Sequence, residues 1–172
     1  MSKLQFIKNQ TFDEVATVNI TDVFSSDYRN YLVITKDFAN TDGNNAWISL
    51  RLINASDAII TSSTYDIAQL QMMSDQAFGE NRYDDENRFK YSISYSEEEK
   101  QNAGQFIVSN PYESALYTHV QRQSTYFYTD GGRIDGYRWI GMEKTAVSVT
   151  GFNLYSEDGY DFEGEVNVYG IK

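Results

Sequence analysis

Apolar and polar positions alternate with a period of two along most of this chain. Phe89, Tyr91, Ile93 and Tyr95 fall on one side, and Lys90, Ser92 and Ser94 on the other. That spacing predicts a strand with one face buried and one in solvent, as in antiparallel sheets. Ile48, Leu50 and Leu52 alternate in the same way with Trp47, Ser49 and Arg51. So do Leu116, Thr118, Val120 and Arg122 with Tyr117, His119 and Gln121, and Ala16, Val18 and Ile20 line one face of an early strand. Near the end of the chain, Val166 and Val168 oppose Asn167 and Tyr169, which predicts a last strand running through Ile171.

Other runs are apolar on both faces. Tyr31-Leu32-Val33-Ile34 and Phe106-Ile107-Val108 read as central strands. Residues 146–154 form a long apolar run that contains Gly151, and a glycine there predicts a bulge or bend. Tyr65 to Met73 fits helical spacing through Ile67, Leu70 and Met73 and strand spacing through Ala68, Leu70 and Met72; its β-rich surroundings favour the strand. Turn chemistry separates these runs: Asp42-Gly43-Asn44, Asn54-Ala55-Ser56-Asp57, Asn110-Pro111, Asp130-Gly131-Gly132 and Asp158-Gly159. The Asp158-Gly159 turn predicts a hairpin between the last strand and the run before it. The polar, acidic residues 74–87 read as a long surface loop, and Glu97-Glu98-Glu99-Lys100 as a loop tip. Many short strands with turns between them argue a sandwich or barrel, and the length suits one domain spanning residues 1–172.

Composition narrows the function classes. Aromatic residues make up 15% of the chain, mostly Tyr (14) and Phe (10), rings that suit a pleated, half-buried surface. The net charge of −11 repels phosphate backbones and anionic lipid surfaces, which argues against nucleic-acid and membrane partners. With no cysteine, neither a disulfide nor a thiolate metal site can form. No apolar run reaches signal-peptide or membrane-span length, so synthesis and folding are expected in the cytoplasm of a host cell.

Candidate chemistry is sparse. His119 is the single histidine, it lies within a predicted strand, and no nucleophile-elbow sequence accompanies it. Gly131-Gly132 suits a turn that needs positive φ, not a phosphate loop. Asp84-Asp85-Glu86 and the acids of residues 157–161 are read as solvated loop charge; neither stretch has EF-hand spacing. No catalytic residue, cofactor or metal ligand is therefore assigned. What stands out is aromatic: Tyr126-Phe127-Tyr128 and Tyr137-Arg138-Trp139 flank the Asp130-Gly131-Gly132 turn. Tyr83, Tyr126, Tyr128, Tyr137 and Trp139 are the candidate contacts for a protein partner or a glycan, set against the expectation that half of these rings fill the core.

The run from Val18 to Tyr31, in which Phe24-Ser25-Ser26 precedes Tyr28 and Tyr31, resembles the opening of small structural proteins of tailed bacteriophages, notably marine ones. Ile48-Ser49-Leu50-Arg51-Leu52, the Ser109-Asn110-Pro111-Tyr112 turn and the ending Val166-Asn167-Val168-Tyr169-Gly170-Ile171-Lys172 fit the same series of motifs. The resemblance implies an all-β, antiparallel, jelly-roll-like β-sandwich without catalytic machinery. It also implies a virion component: a capsid decoration or head/tail accessory subunit that contacts the major capsid or a tail protein and assembles as a trimer or dimer. A first strand beginning by Leu4 and a last one reaching Ile171 leave no room for a fibre shaft, which favours decoration over a tail fibre. A receptor- or glycan-binding sandwich is the alternative, and the acidic residues 74–87 depart from the family pattern.

Overall fold

A computed structural model describes residues 3–40, 46–95, 102–128 and 132–172. Twelve strands form: β1 (Leu4–Val15), β2 (Thr17–Ile20), β3 (Asn30–Asn40), β4 (Ala46–Asn54), β5 (Tyr65–Met73), β6 (Gly79–Glu86), β7 (Phe89–Tyr95), β8 (Asn102–Ser109), β9 (Thr118–Tyr128), β10 (Arg133–Glu143), β11 (Val149–Ser156) and β12 (Phe162–Ile171). They build two antiparallel sheets packed face to face, the sandwich the alternation predicts. The sheets are unequal. Eight strands run in the order β1-β12-β3-β8-β9-β10-β5-β6, and four in the order β2-β11-β4-β7. The two-sided apolar runs, β3 and β8, sit side by side at the middle of the larger sheet.

The core lies between the sheets. Tyr31, Val33, Phe106, Val108, Val120 and Trp139 rise from the larger sheet to meet Ile48, Leu50, Leu52, Phe89, Phe152 and Leu154 of the smaller. Each such side chain contributes about 1.5–3 kcal/mol by leaving water. Aromatic rings carry much of the contact. Phe89 stacks on Trp139 at 5.3 Å and meets Tyr65 edge-on at 4.8 Å. Phe89 also lies against Gly141, where a Cβ would stand 2.7 Å from its ring, so the strand crossing there needs a glycine.

Several expectations are met residue by residue. Val166 and Val168 are buried, while Asn167 and Tyr169 take the other face. Tyr65 to Met73 is a strand. The register of β11 on β4 slips between Val149 and Gly151, as the glycine predicts. Asn54 Oδ1 accepts from the Ser56 and Ala58 amides, fixing the predicted turn, and Asp57 takes φ +59°. Gly132 takes φ +59° beside β10. The turn at Asp42-Gly43-Asn44 and the tip at Glu97-Glu98-Glu99-Lys100 lie outside the described residues.

Other expectations are corrected. Asp158-Gly159 does not close a hairpin. β11 belongs to the smaller sheet and β12 to the larger, so that turn carries the chain across the sandwich and β12 pairs with β1 and β3. Residues 74–87 are not all loop, because Gly79–Glu86 forms edge strand β6 on β5. Charges at Glu80, Arg82 and Asp84 hid it from an apolar pattern, and charge on an edge strand discourages pairing with another chain. Leu116 lies before β9 in an exposed turn, Ala16 sits at the bend between β1 and β2, and residues 146–148 precede β11. In β7 the alternation breaks. Tyr91 takes φ +51°, the β4–β7 register slips between Ile48 and Leu50, and Ser92 turns inward to donate from Oγ to the Phe89 carbonyl.

Two tests follow from this packing. At Gly151 a Cβ would stand 2.3 Å from the Ile20 carbonyl oxygen. Gly151→Ala must therefore shift β2 off β11, at a cost of about 1–3 kcal/mol, read as a lower urea midpoint at unchanged slope. Removing residues 168–172 strips β12 of registered pairs to both neighbours. Cooperative melting should then be lost, and a truncated chain that still melts sharply would show that β12 does not brace the sheet.

Candidate functional site

The predicted contact residues divide between core and rim. Trp139 is 1% exposed and lies between Phe89 and Phe106, so it fills the core and cannot meet a partner. Tyr126 is buried too. It stacks on Tyr137 at 6.1 Å, and its hydroxyl donates to Asp135 Oδ2 at 3.1 Å. The Tyr128 side chain lies outside the described residues. Tyr83, on edge strand β6, stays half-buried. Tyr83 and Tyr137 converge on one cleft with two rings that the sequence reading did not single out, Trp47 and Tyr91.

That cleft lies where β7, the edge of the smaller sheet, crosses over β5 and β9. The larger sheet reaches past it, and the inner faces of β10, β5 and β6 supply Tyr137, Gln69, Gln71 and Asn81. The cleft holds about 230 Å³. Trp47 stands edge-on to Tyr91 at 4.9 Å and to Tyr137 at 5.7 Å, and Tyr91 meets Tyr83 at 5.9 Å. Period-two counting places Tyr91 in the core beside Phe89 and Ile93; the bulge and the positive φ turn its ring to the rim instead.

Arg122 holds Tyr91 in that position. It is 2% exposed, donates from Nη1 to the Tyr91 carbonyl at 2.7 Å, and lies 5.6 Å from the centre of the Tyr137 ring. Burial lowers its pKa to about 9 against the opposing pull of Tyr137 and Tyr126, so it keeps its charge at neutral pH. Among the described residues its Nε and Nη2 have no hydrogen-bond partner. Burial also raises the Tyr137 and Tyr83 hydroxyls above the ordinary phenol value, so both rings remain neutral donors near pH 7.

Parts of the acidic stretches are tied to cations, while Asp84 and Asp158 are exposed as solvated charge. Lys144 Nζ bridges Asp66 at 2.8 Å and Asp85 at 2.7 Å. Glu86 pairs with Lys90, and Glu157 takes a two-pronged contact from Arg88 and a hydrogen bond from the Ser49 hydroxyl. Among the described residues no three His, Asp or Glu side chains gather as a ligand set for a metal. His119 faces solvent from β9, opposite Met142.

A second surface feature is the outer face of the larger sheet. One cross-strand row reads Phe6, Tyr169, Leu32, Ile107, Gln121, Ile140, Ala68 and Arg82 across all eight strands. Five of the first six members are large apolar side chains. Phe6 and Ile140 are more than half exposed, as is Ile134 on the same face, and Phe6 meets Tyr169 edge-on at 5.7 Å. Two acids of this face are paired, Glu165 with Lys36 at 3.1 Å and Glu80 with Arg82 at 3.4 Å, while Asp84 lies exposed at the β6 edge. On a chain of net charge −11 this row is an uncharged strip from Phe6 to Ile140, flanked by more polar rows such as Asn167, Ile34, Gln105, Gln123 and Arg138.

The Arg88–Glu157 pair predicts a pH dependence. Burial opposes ionisation of Glu157, but the hydrogen bonds from Arg88 and Ser49 outweigh it and hold its carboxyl below the ordinary value of 4.5. A folded-state pKa below the unfolded one means that the pair stabilises fully above that value. The contribution is lost as pH falls through the lower folded pKa. Glu157→Gln should therefore melt at a lower temperature than the parent at pH 7, and the gap should narrow as pH falls below the ordinary carboxyl value of 4.5. A gap that stays constant with pH would show that the pair does not respond to titration.

No protein-family model matches the chain, and no curated protein shows significant similarity to it.

Proposed function

We propose that this chain is a non-enzymatic structural subunit of a tailed-phage particle, a capsid decoration or head/tail accessory protein that assembles through the outer face of its larger sheet. The observation that carries the assembly part is the apolar row from Phe6 to Ile140. A sandwich sheet normally keeps polar residues on its outer face. Contiguous apolar surface on a soluble domain marks a contact with another protein.

Size and charge favour a second copy of the chain as the occupant. Eight strands at about 4.8 Å spacing span roughly 34 Å. Three side-chain rows, the apolar one and the more polar rows on either side of it, bring the face to about 700 Å² in projection. Stable interfaces bury about 800 Å² on each partner, so two such faces in register reach nearly that size. The net charge makes two copies repel each other over most of their surface, whereas the apolar row itself is uncharged from Phe6 to Ile140 and Glu165 and Glu80 beside it are held in ion pairs. A row mated with its own copy sets apolar side chains against apolar side chains, as an isologous contact requires. The placement in a virion comes from the resemblance of the Val18 to Tyr31 run and the C-terminal motif to phage structural proteins.

Sedimentation of the purified chain should show an oligomer at micromolar concentration. Leu32→Arg with Ile140→Arg should shift it to monomer with the melting temperature within about 3 °C of the parent. Purified particles imaged at side-chain resolution should carry the chain at fixed stoichiometry with this face covered. A parent chain that stays monomeric, or particles that lack it, would overturn the reading.

A further inference from the structure

We propose that the cleft between β7 and the inner faces of β5, β6 and β10 binds one ring of a neutral saccharide. It lies on the opposite face of the larger sheet from the assembly surface, since Gln69 points inward where Ala68 and Leu70 point outward, so the two readings stand or fall separately.

Three observations select the ligand. Every side chain lining the cleft is uncharged, although charged residues make up 23% of the chain. A phosphate or a carboxylate would find no cation among those side chains, and a cationic ligand, which such rings otherwise attract, is disfavoured by the Arg122 guanidinium beside the Tyr137 ring and the Lys90 ammonium over the Tyr83 ring, so the ligand is neutral. The walls are rings: Trp47, Tyr91 and Tyr83 stand around the rim above Tyr137. The C–H faces of a pyranose pack against such rings, while the tyrosine hydroxyls, hydrogen-bonded as the pairs Tyr83–Tyr91 and Tyr137–Tyr126, keep lone pairs that can accept from a sugar hydroxyl. The remaining lining groups are carboxamides, Gln69, Gln71 and Asn81. A carboxamide offers an acceptor and two donors on one plane, which matches the sugar hydroxyl, itself both donor and acceptor.

Gln69 is the group that points to a ligand. It is 6% exposed, and its Oε1 has no hydrogen-bond partner among the described residues. A buried carboxamide oxygen without a partner is costly to the fold by itself, and a ligand hydroxyl would complete it. The adjoining wall is held in shape without the ligand. Tyr91 keeps its φ of +51° because buried Arg122 grips its carbonyl. A non-glycine residue fixed in that region by its surroundings is a common feature of preorganised binding sites. At about 230 Å³ the cleft is smaller than the roughly 300–1,000 Å³ of pockets that enclose a drug-sized ligand. It therefore takes a single ring, with the rest of a glycan chain left in solvent.

The test is an array of neutral and acidic glycans probed with the full chain, followed by titration of the best neutral sugar against tryptophan fluorescence. The parent should be retained on neutral glycans, and the half-buried Trp47 should report the titration. Gln69→Leu should weaken binding at least tenfold while melting at or above the parent temperature, because it removes an unpaired buried oxygen. A purely structural role for Gln69 would not move binding and stability in opposite directions. Tyr83→Ala, at the half-exposed rim, should weaken binding without unfolding. Leu32→Arg with Ile140→Arg should leave binding intact. Three outcomes would overturn the proposal: no retention of the folded parent on any neutral glycan, retention on acidic glycans alone, or binding that survives both Gln69→Leu and Tyr83→Ala.

Discussion

The mismatch between an eight-stranded and a four-stranded sheet shapes most of what is distinctive in this molecule. Four strands cannot roof eight. Where β11, β4 and β7 lie over β3, β8 and β9, the interior is dry and apolar, with Val33, Phe106, Leu50, Leu52 and Phe152 in contact. Towards β5 and β6 the roof ends, and the inner face of the larger sheet changes character. Arg122, Gln69, Ser124 and Asp135 replace aliphatic side chains there, and rings close the margin. The transition falls along one cross-strand row, where Phe106, Arg122, Trp139 and Gln69 are neighbours in register.

Burying a guanidinium and several amides in that margin works against stability unless neighbours satisfy them. Part of the compensation is visible. Arg122 has the Tyr91 carbonyl and the Tyr137 ring, and buried Asp135 has Arg133 and the Tyr126 hydroxyl. Part is not, since Gln69 Oε1, Trp139 Nε1 and Ser124 Oγ have no partner among the described residues. The aromatic density of the chain suits such a margin, because a tyrosine seals a rim with its ring and keeps its hydroxyl at the water side. The outer face of the same sheet carries an apolar row on a strongly acidic chain, with Glu165 and Glu80 nearby paired to Lys36 and Arg82. One sheet thus presents two different surfaces, an exterior crossed by an apolar row and a recess lined by rings and carboxamides.

Much of the sandwich was legible in the chain because a strand with one buried face writes a period of two. β3, β4, β8, β9 and β12 could be read that way, and Gly151 marked its bulge. Edge strand β6 was not legible, since neither of its faces is apolar and charge on an edge strand looks like loop. The cleft was half legible. Of the rings that aromatic character marks, Tyr83 reaches the rim and buried Tyr137 lines the cleft, but Tyr126 and Trp139 are buried away from it. Trp47 and Tyr91 were missed. Composition does not say which rings reach a rim, and at Tyr91 the alternation pointed the wrong way.

By itself, the sequence determined the all-β class, the antiparallel strands, the inward valines of β12 and the acidic, cysteine-free character of the chain. These are local properties, set by side-chain period, turn chemistry and charge. Tertiary structure decided which strands became neighbours, so that the Asp158-Gly159 turn crosses between sheets instead of closing a hairpin. It also aligned Phe6 with Tyr169, Leu32, Ile107 and Ile140 across strands far apart in sequence. Pairing register and sheet membership are long-range choices made by the competition of whole faces for burial. A period of two says that a face exists, but not which face it will meet.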